Sequence, residues 1–370
     1  MVPRPRIYPA PRRLPRSRVK ILRKNIRVMN MANNFFRHGS IVWTAILLPI
    51  IPLIVLLSIS IGSVSVPLEK SIAVLMGLGG QDVSTIIINA IRLPRVLAAL
   101  AGGAALGISG AILQVFFRNP IADPYVIGVS SGSALFIAFA VFMGTSLGIG
   151  NPFSPYTLYL AGFIGALMVS LFMIFASGFV RGVTTLLIIG VAISYLASAL
   201  TSILQAISDI ERLHVFIFWV MGSFSGAKWV FVNFLIIALI AGLVFSLLLA
   251  KPLNAFMLSE NYAQSMGINI RVVKVGTIAL ASFLTSVVTV VAGPVGFIGL
   301  VAPHISRYLS SSSDNRVVLP LSAIVGSIIT AIADLAARTL MMPRDLPITA
   351  ITAIFGAPLV IILLLKGGAT

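Results

Sequence analysis

Ionisable side chains are scarce in this chain, and their spacing limits the chemistry that they can perform. The 370 residues include nine Asp and Glu, three His and no Cys. Asp334 and Arg338 lie four residues apart, a spacing at which two side chains can pair on one face of a helix. Because an unpaired charge at the centre of a membrane helix costs roughly 2.5–3.5 kcal/mol, we expect both residues to face protein, water or the outer surface.

No set of residues has the spacing of a catalytic or metal-binding site. His304 lies without acidic or thiol neighbours in the sequence, so we expect it to make a structural hydrogen bond rather than to bind a metal. The sequence contains neither the G-x-x-x-x-G-K-[ST] phosphate loop nor the H-E-x-x-H motif. We therefore predict no catalytic residues and no metal site. Uphill transport by such a chain would draw its energy from another chain or from an ion gradient.

A run of small residues marks one face of the second apolar stretch. Gly103, Gly107, Gly110 and Ala111 recur three or four positions apart, and Gln114 follows at the same spacing. Small residues at this spacing let a second helix approach closely. We expect tight helix packing at this face, with Gln114 either bridging two helices or lining a path.

A polar insert, the 251–269 segment, interrupts the apolar pattern. Within it, Ser259 can cap a short helix and Gly267 can end that helix. A helix with an apolar stripe outside the membrane must lie on lipid headgroups or dock to a partner, and we favour docking. The residues of the predicted stripe are Leu253, Phe256, Met257, Ala263 and Met266.

Apolar stretches, most of them long enough to cross a bilayer, fill the chain from about Ile41 to Leu365. Hydrophobic residues are 58% of the sequence, charged residues 9%, and the mean hydropathy is +1.08. About 20 apolar residues in a helix cross the hydrocarbon core, and continuous apolar runs favour helices over a barrel. We predict an all-α, polytopic membrane protein with ten transmembrane helices, at 41–62, 88–117, 124–144, 156–178, 184–206, 229–250, 270–292, 295–310, 316–338 and 346–366.

Positive charge is concentrated at the N-terminus. Eleven of the 26 Lys and Arg lie in the first 38 residues, a pattern that holds an N-terminus in the cytoplasm and against anionic lipid rather than one that indicates nucleic-acid binding. We predict a disordered basic tail (residues 1–40) and a ten-helix transmembrane domain (residues 41–370). An even number of spans then puts both termini of this multi-pass protein on the cytoplasmic side of the inner (cytoplasmic) membrane.

Several blocks, in order, closely resemble the membrane permeases of ABC importers for iron–siderophores, haem and cobalamin, the FecCD type. The resemblance runs from about Ile91 to the C-terminus, and its most distinctive block is Gly293 to His304 followed by Arg307. The other matching blocks are 92–95, 110–114 followed by 118–120, 128–132, 253–267, Asp334 with Arg338, 345–347 and 356–358.

The resemblance implies an assembly and assigns roles to residues. The expected partners are a second permease subunit in a homodimer, two cytoplasmic ATPase subunits that bind ATP and Mg²⁺, and an extracytoplasmic binding protein; no cofactor is expected on this chain. The implied ATPase-coupling residues are Leu253, Asn254, Leu258, Ser259, Glu260, Ala263 and Gly267. The residues implied in docking of the binding protein are Arg92, Arg95 and Arg338. Those implied in a gate or path are Gln114, Thr184 and Thr185.

The chain departs from the pattern of the family at three positions. Ser259 and Thr349 stand where Gly is usual, and Asp345 stands where Glu is usual. None of these changes removes a group on which the implied roles depend, but Thr349 leaves the local backbone in question.

From these features we expect a permease subunit that passes an iron chelate, haem or cobalamin, with a siderophore favoured by the range of the family. The alternative is an ion-coupled secondary transporter, which needs buried carboxylates in the spans; only Asp334 comes close to meeting that need. An intramembrane enzyme is a second alternative, but no catalytic set supports it.

Overall fold

The computed structural model describes residues 42–144, 148, 151, 153–180 and 182–367. The predicted basic tail, residues 1–40, lies outside the described residues. All regular structure in the described part of the chain is helical, which confirms the all-α prediction. We number its helices α1 Val42–Ser60, α2 Leu68–Leu75, α3 Val83–Phe117, α4 Val129–Met143, α5 Pro155–Phe179, α6 Val183–Ala206, α7 Ile210–Met221, α8 Trp229–Leu258, α9 Glu260–Ser265, α10 Ile270–Ala292, α11 Ile298–Ser310, α12 Asn315–Thr339 and α13 Ile348–Gly367.

A helix lies at each of the ten predicted stretches, but not all of them have the length of a membrane span. Seven of the described helices are long and apolar enough to cross a bilayer: α1, α3, α5, α6, α8, α10 and α12. The helices α4 and α11 have 15 and 13 residues, and the apolar part of α13 is also shorter than a span. The number of ten crossings therefore stays a prediction.

The end of α8 differs from the sequence prediction. The predicted span ends at residue 250, yet the helix continues through Pro252 to Leu258. Proline removes one backbone donor and disfavours a helix interior. Leu253 and Phe256 are fully buried in the next turn, and this burial offsets the lost hydrogen bond.

The helix α3 forms the centre of the fold because its small residues let neighbouring backbones approach. In its most apolar stretch, 94% of the residues are buried, against 22% in α6. A Cβ added at Gly103 would lie 2.2 Å from the Gly326 carbonyl oxygen of α12, and one at Gly110 would lie 1.8 Å from the Gly299 oxygen of α11. These contacts confirm the predicted tight packing at the small-residue face.

The turn between α10 and α11 is fixed by side chains from elsewhere in the chain. Val295 donates its backbone N–H to the Tyr125 hydroxyl at 2.8 Å. The Thr349 hydroxyl donates to the Pro294 carbonyl at 2.7 Å. Thr349 thus satisfies a backbone acceptor that the Gly expected from the resemblance has no side chain to reach.

Candidate functional site

A cluster of charged residues, Arg92, Arg95, Asp334, Arg338 and Asp345, lies where the start of α3 meets the end of α12; we call it the charged cluster. Arg95 donates through Nε to both carboxylate oxygens of Asp334, at 3.0 and 3.1 Å. It also donates through Nη1 to Asp345 at 2.7 Å. The sequence spacing pointed to Arg338 as the partner of Asp334, but Asp334 instead forms its ion pair with Arg95 of α3.

Two other arginines of the charged cluster cap the first helix. Arg92 donates to the carbonyl oxygens of Ile59 and Ser60, at 2.6 and 3.1 Å, and also to that of Val64. Arg338 donates through Nη2 to the carbonyl of Ser58. The last carbonyls of a helix have no partners within the helix and carry partial negative charge, so cations stabilise them. The two guanidinium groups thereby attach the end of α1 to α3 and α12.

The three arginines predicted for docking are therefore buried in this chain. Arg92, Arg95 and Arg338 are only 5%, 8% and 8% exposed. They share a cleft of about 220 Å³ with Asp345, whose side chain is 40% exposed. Their bonds within the chain give them a structural role that the sequence did not indicate, and their docking role stays a prediction.

The 251–269 segment lies at the opposite end of α12 and has the predicted caps. The Ser259 hydroxyl accepts a hydrogen bond from the Tyr262 N–H at 2.9 Å and caps α9. Gly267 ends this turn with φ of +80°, a conformation that favours glycine. Asn269 then caps α10 by accepting from Arg271 and Val272. The predicted short helix of the segment is thus confirmed.

The predicted apolar stripe of the 251–269 segment is divided between the core and the surface. Leu253, Phe256 and Ala263 are fully buried. Of the other two predicted members, Met257 is half-buried and Met266 is 59% exposed. Two residues outside the predicted stripe, Leu258 and Tyr262, are also exposed, by 68% and 45%. Leu258, Tyr262 and Met266 form what we call the exposed patch, which makes this segment a candidate interaction surface.

Polar residues lie in the same segment as this patch, and one ion pair joins α9 to α10. Glu260 pairs with Lys274 of α10 at 3.2 Å. A groove of about 520 Å³ runs along the segment between α9 and the start of α10. Its polar lining includes Glu260, Asn261, Gln264 and Arg271. The surface therefore combines apolar contacts with hydrogen-bonding groups at its edge.

Gln114 bridges two helices in the structure. It is 4% exposed, donates to the Leu300 carbonyl at 3.1 Å and accepts from Arg307 at 2.6 Å. Of the two alternatives raised by the sequence, the geometry favours the bridge from α3 to α11 over a path-lining position. Thr184 and Thr185 are exposed and lie in the first turn of α6, and their gate role stays a prediction.

Three further residues, Arg118, His304 and Asp314, make hydrogen bonds that fix neighbouring segments. Arg118 donates to the Phe256 carbonyl at 2.8 Å and lies over the Phe256 ring. His304 donates through Nε2 to the Pro120 carbonyl at 2.8 Å, which confirms its predicted structural role. Asp314 caps α12 by accepting from the Arg316 N–H. Asp314 also had a sequence signal, an Asp shortly before a long apolar run.

Comparison with known proteins gives a consistent match over nearly the whole apolar region. The FecCD transport family matches residues 50–366. The hemin transport system permease protein of Yersinia pestis is 35% identical over 319 residues, which are 85% of this chain and 94% of that protein. The vitamin B12 import system permease protein of Escherichia coli O6:H1 is 37% identical over 278 residues, which are 75% of this chain and 83% of that protein.

A solved structure agrees with these sequence matches. It is described as an inward-facing conformation of an ABC transporter assigned to the metal-chelate type. It is 33% identical to this chain and covers 86% of it, with 97% of the solved chain matched and a TM-score of 0.75.

Proposed function

The chain belongs to the FecCD transport family, and we propose that, as a permease subunit of an ABC importer, it forms the path for an iron chelate, haem or cobalamin. Permease subunits of this family are membrane proteins and are not themselves enzymes. The single observation that carries the proposal is the family match across residues 50–366. Relatives named for hemin and for vitamin B12 support this class of substrates, but they do not distinguish one member of the class from another.

The 251–269 segment is proposed as the surface that receives the ATPase. Its exposed apolar residues Leu258 and Tyr262 and its groove beside Glu260 support this role. The buried members Leu253 and Ala263 would join the surface to the helices rather than touch the partner. Ser259 and Gly267 would set the shape of α9 as its caps. ATP and Mg²⁺ would bind the partner.

A homodimer of permeases with two ATPase subunits and an extracytoplasmic binding protein is proposed as the working assembly. ATP binding would favour one state of the permease pair through contacts that differ between states. The exposed apolar side chains of α6, including Tyr195 and Leu196, support a helix that faces lipid or a second subunit. Thr184 and Thr185 at its start are proposed for the gate, and Gln114 for holding the neighbouring helices.

The charged cluster is proposed as the region that meets the binding protein. Asp345 is its exposed carboxylate. Arg92 and Arg338 cap α1. To contribute to docking, they would either give up their hydrogen bonds to the α1 carbonyls or contact the binding protein through the parts of their side chains that line the cleft. Charge complementarity of this kind mainly sets encounter rate and register.

Reconstitution tests the proposal directly. The chain is placed in liposomes with its cognate ATPase and binding protein, and uptake of a labelled ferric siderophore, haem and cobalamin is compared with and without ATP. We expect ATP-dependent uptake of one of these classes. Uptake that depends on an ion gradient and not on ATP would instead establish the secondary transporter, an alternative that the family match does not favour.

A further inference from the structure

Asn254 joins the helices α8 and α12 at the end of the folded molecule where the 251–269 segment lies. It lies in the last turns of α8 and is half-buried. Its amide Nδ2 donates to the Asp314 carboxylate at 2.7 Å. Its Oδ1 accepts from both the backbone N–H and the side-chain amide of Asn315, at 2.9 and 2.7 Å. Three hydrogen bonds from one side chain thus connect α8 to the first residues of α12.

The Asp314 carboxylate, which accepts the hydrogen bond from Asn254, is well suited to remain charged. Burial of the Asp314 carboxyl opposes its ionisation, but hydrogen bonds from Arg316 and Asn254 outweigh burial and hold the pKa of Asp314 below its ordinary value. Hydrogen bonds to a charged group are stronger than those between neutral groups. The bond from Asn254 is therefore more than an incidental contact at a helix end.

The helix that Asn254 holds extends to the charged cluster. The 25 residues of α12 run from Asn315 to Thr339, a length of about 37 Å at the α-helical rise. The close approach of Gly326 to Gly103 packs α12 against α3 backbone to backbone, and Arg95 joins the same two helices at their far end. Pro320 interrupts the backbone hydrogen bonds of α12 in its second turn, and both of these contacts with α3 lie beyond it. A displacement of the start of α12 would therefore reach α3 and the charged cluster through the packed part of α12 beyond Pro320.

We propose that Asn254 is a positioning residue that transmits movement of the 251–269 segment to α12 through Asp314 and Asn315. The inference rests on the proposed function and adds to it an internal route. Under this route Asn254 acts on the transport cycle without touching the ATPase. Its effect therefore lies in how hydrolysis is used, rather than in whether the ATPase binds.

The test is the number of ATP molecules hydrolysed per substrate imported by the full complex in liposomes. For Asn254→Ala we expect this ratio to rise about 2-fold to 30-fold, the range for residues that carry coupling between sites, with the ATPase still bound. The matched control is Asn233→Ala, an exposed asparagine near the other end of α8, which should leave the ratio unchanged.

An exchange of donor and acceptor separates this route from a general loss of structure. Asn254→Asp alone places two carboxylates in contact and should raise the ratio. Combined with Asp314→Asn it restores a donor–acceptor pair, and asparagine remains a good helix cap, so the ratio should return towards that of the unmodified chain. An unchanged ratio in Asn254→Ala, or a double variant no better than Asn254→Asp, would overturn the proposal. Absence of ATP-dependent import by the unmodified complex would instead refute the proposed function itself.

Discussion

Arg95 and Asp334 lie 239 positions apart in the sequence and form an ion pair with a bifurcated hydrogen bond at the meeting point of α3 and α12. Asp334 is 2% exposed and Arg95 8% exposed. The pair therefore lies in a setting where the loss of one partner leaves a buried charge without compensation. This relationship makes the charged cluster a determinant of the fold as well as a candidate docking region.

Removal of one member of this pair should cost far more than removal of both. We expect Arg95→Met to lower the free energy of unfolding by about 3–5 kcal/mol, because Asp334 stays buried without the cation that donates hydrogen bonds to it. Adding Asp334→Leu should recover much of that loss. Denaturation in detergent measures both variants, and Lys70→Met provides a control from an exposed ion pair with Asp82, which should cost at most about 1 kcal/mol. Equal destabilisation by the single and double variants would contradict this interpretation.

Replacement of Arg92 should loosen the end of α1. Arg92→Met removes the donors to Ile59 and Ser60, and hydrogen bonds to charged groups contribute about 1.5–3 kcal/mol each. Since the chain has no Cys, a single cysteine introduced at Ile61 reports the change through its labelling rate. Faster labelling is expected in Arg92→Met and not in Arg344→Met, an exposed arginine of the same region. If both variants label alike, Arg92 does not hold α1.

The packing of α3 against α11 leaves no room for a methyl group at Gly110. A Cβ there would lie 1.8 Å from a backbone carbonyl oxygen, so Gly110→Ala must shift α11. Overpacking of this kind costs typically 1–3 kcal/mol, and more where backbone must move. The melting temperature in detergent should fall clearly, whereas Gly80→Ala, with nothing within 4 Å of the new Cβ, should leave it unchanged. An unaltered melting temperature in Gly110→Ala would show that α11 tolerates displacement.

A charge on the exposed patch of the 251–269 segment should weaken ATPase binding without destabilising the chain. Met266 is 59% exposed, so Met266→Asp should change stability by no more than about 0.5 kcal/mol. At a central interface position it should weaken binding of the ATPase by about 1–2 kcal/mol, or roughly 5- to 30-fold. The control is Met76→Asp, an exposed methionine beyond α2. Unweakened binding in Met266→Asp would remove this residue from the interface.

Local signals in the sequence predicted the helices and caps well. The small residues of α3 predicted close packing because the absence of a side chain is itself the cause of the close approach. Ser259 and Gly267 predicted the limits of α9 for a similarly local reason, since each acts on the backbone within one turn.

Long-range partners were beyond the reach of the sequence. The spacing of Asp334 and Arg338 indicated a pair on one helix, but it carried no information on α1, whose terminal carbonyls compete for Arg338. The bond between Asn254 and Asp314 likewise joins residues 60 positions apart. Neither residue has a local pattern that names the other, so only the packed structure reveals the link.

The most direct measurement of the central claim is substrate uptake into liposomes that hold this chain, its binding protein and either an active or a hydrolysis-deficient form of the ATPase, with no ion gradient present. The account predicts accumulation of the chelate or tetrapyrrole only with the active ATPase. Equal accumulation with the hydrolysis-deficient form would contradict it.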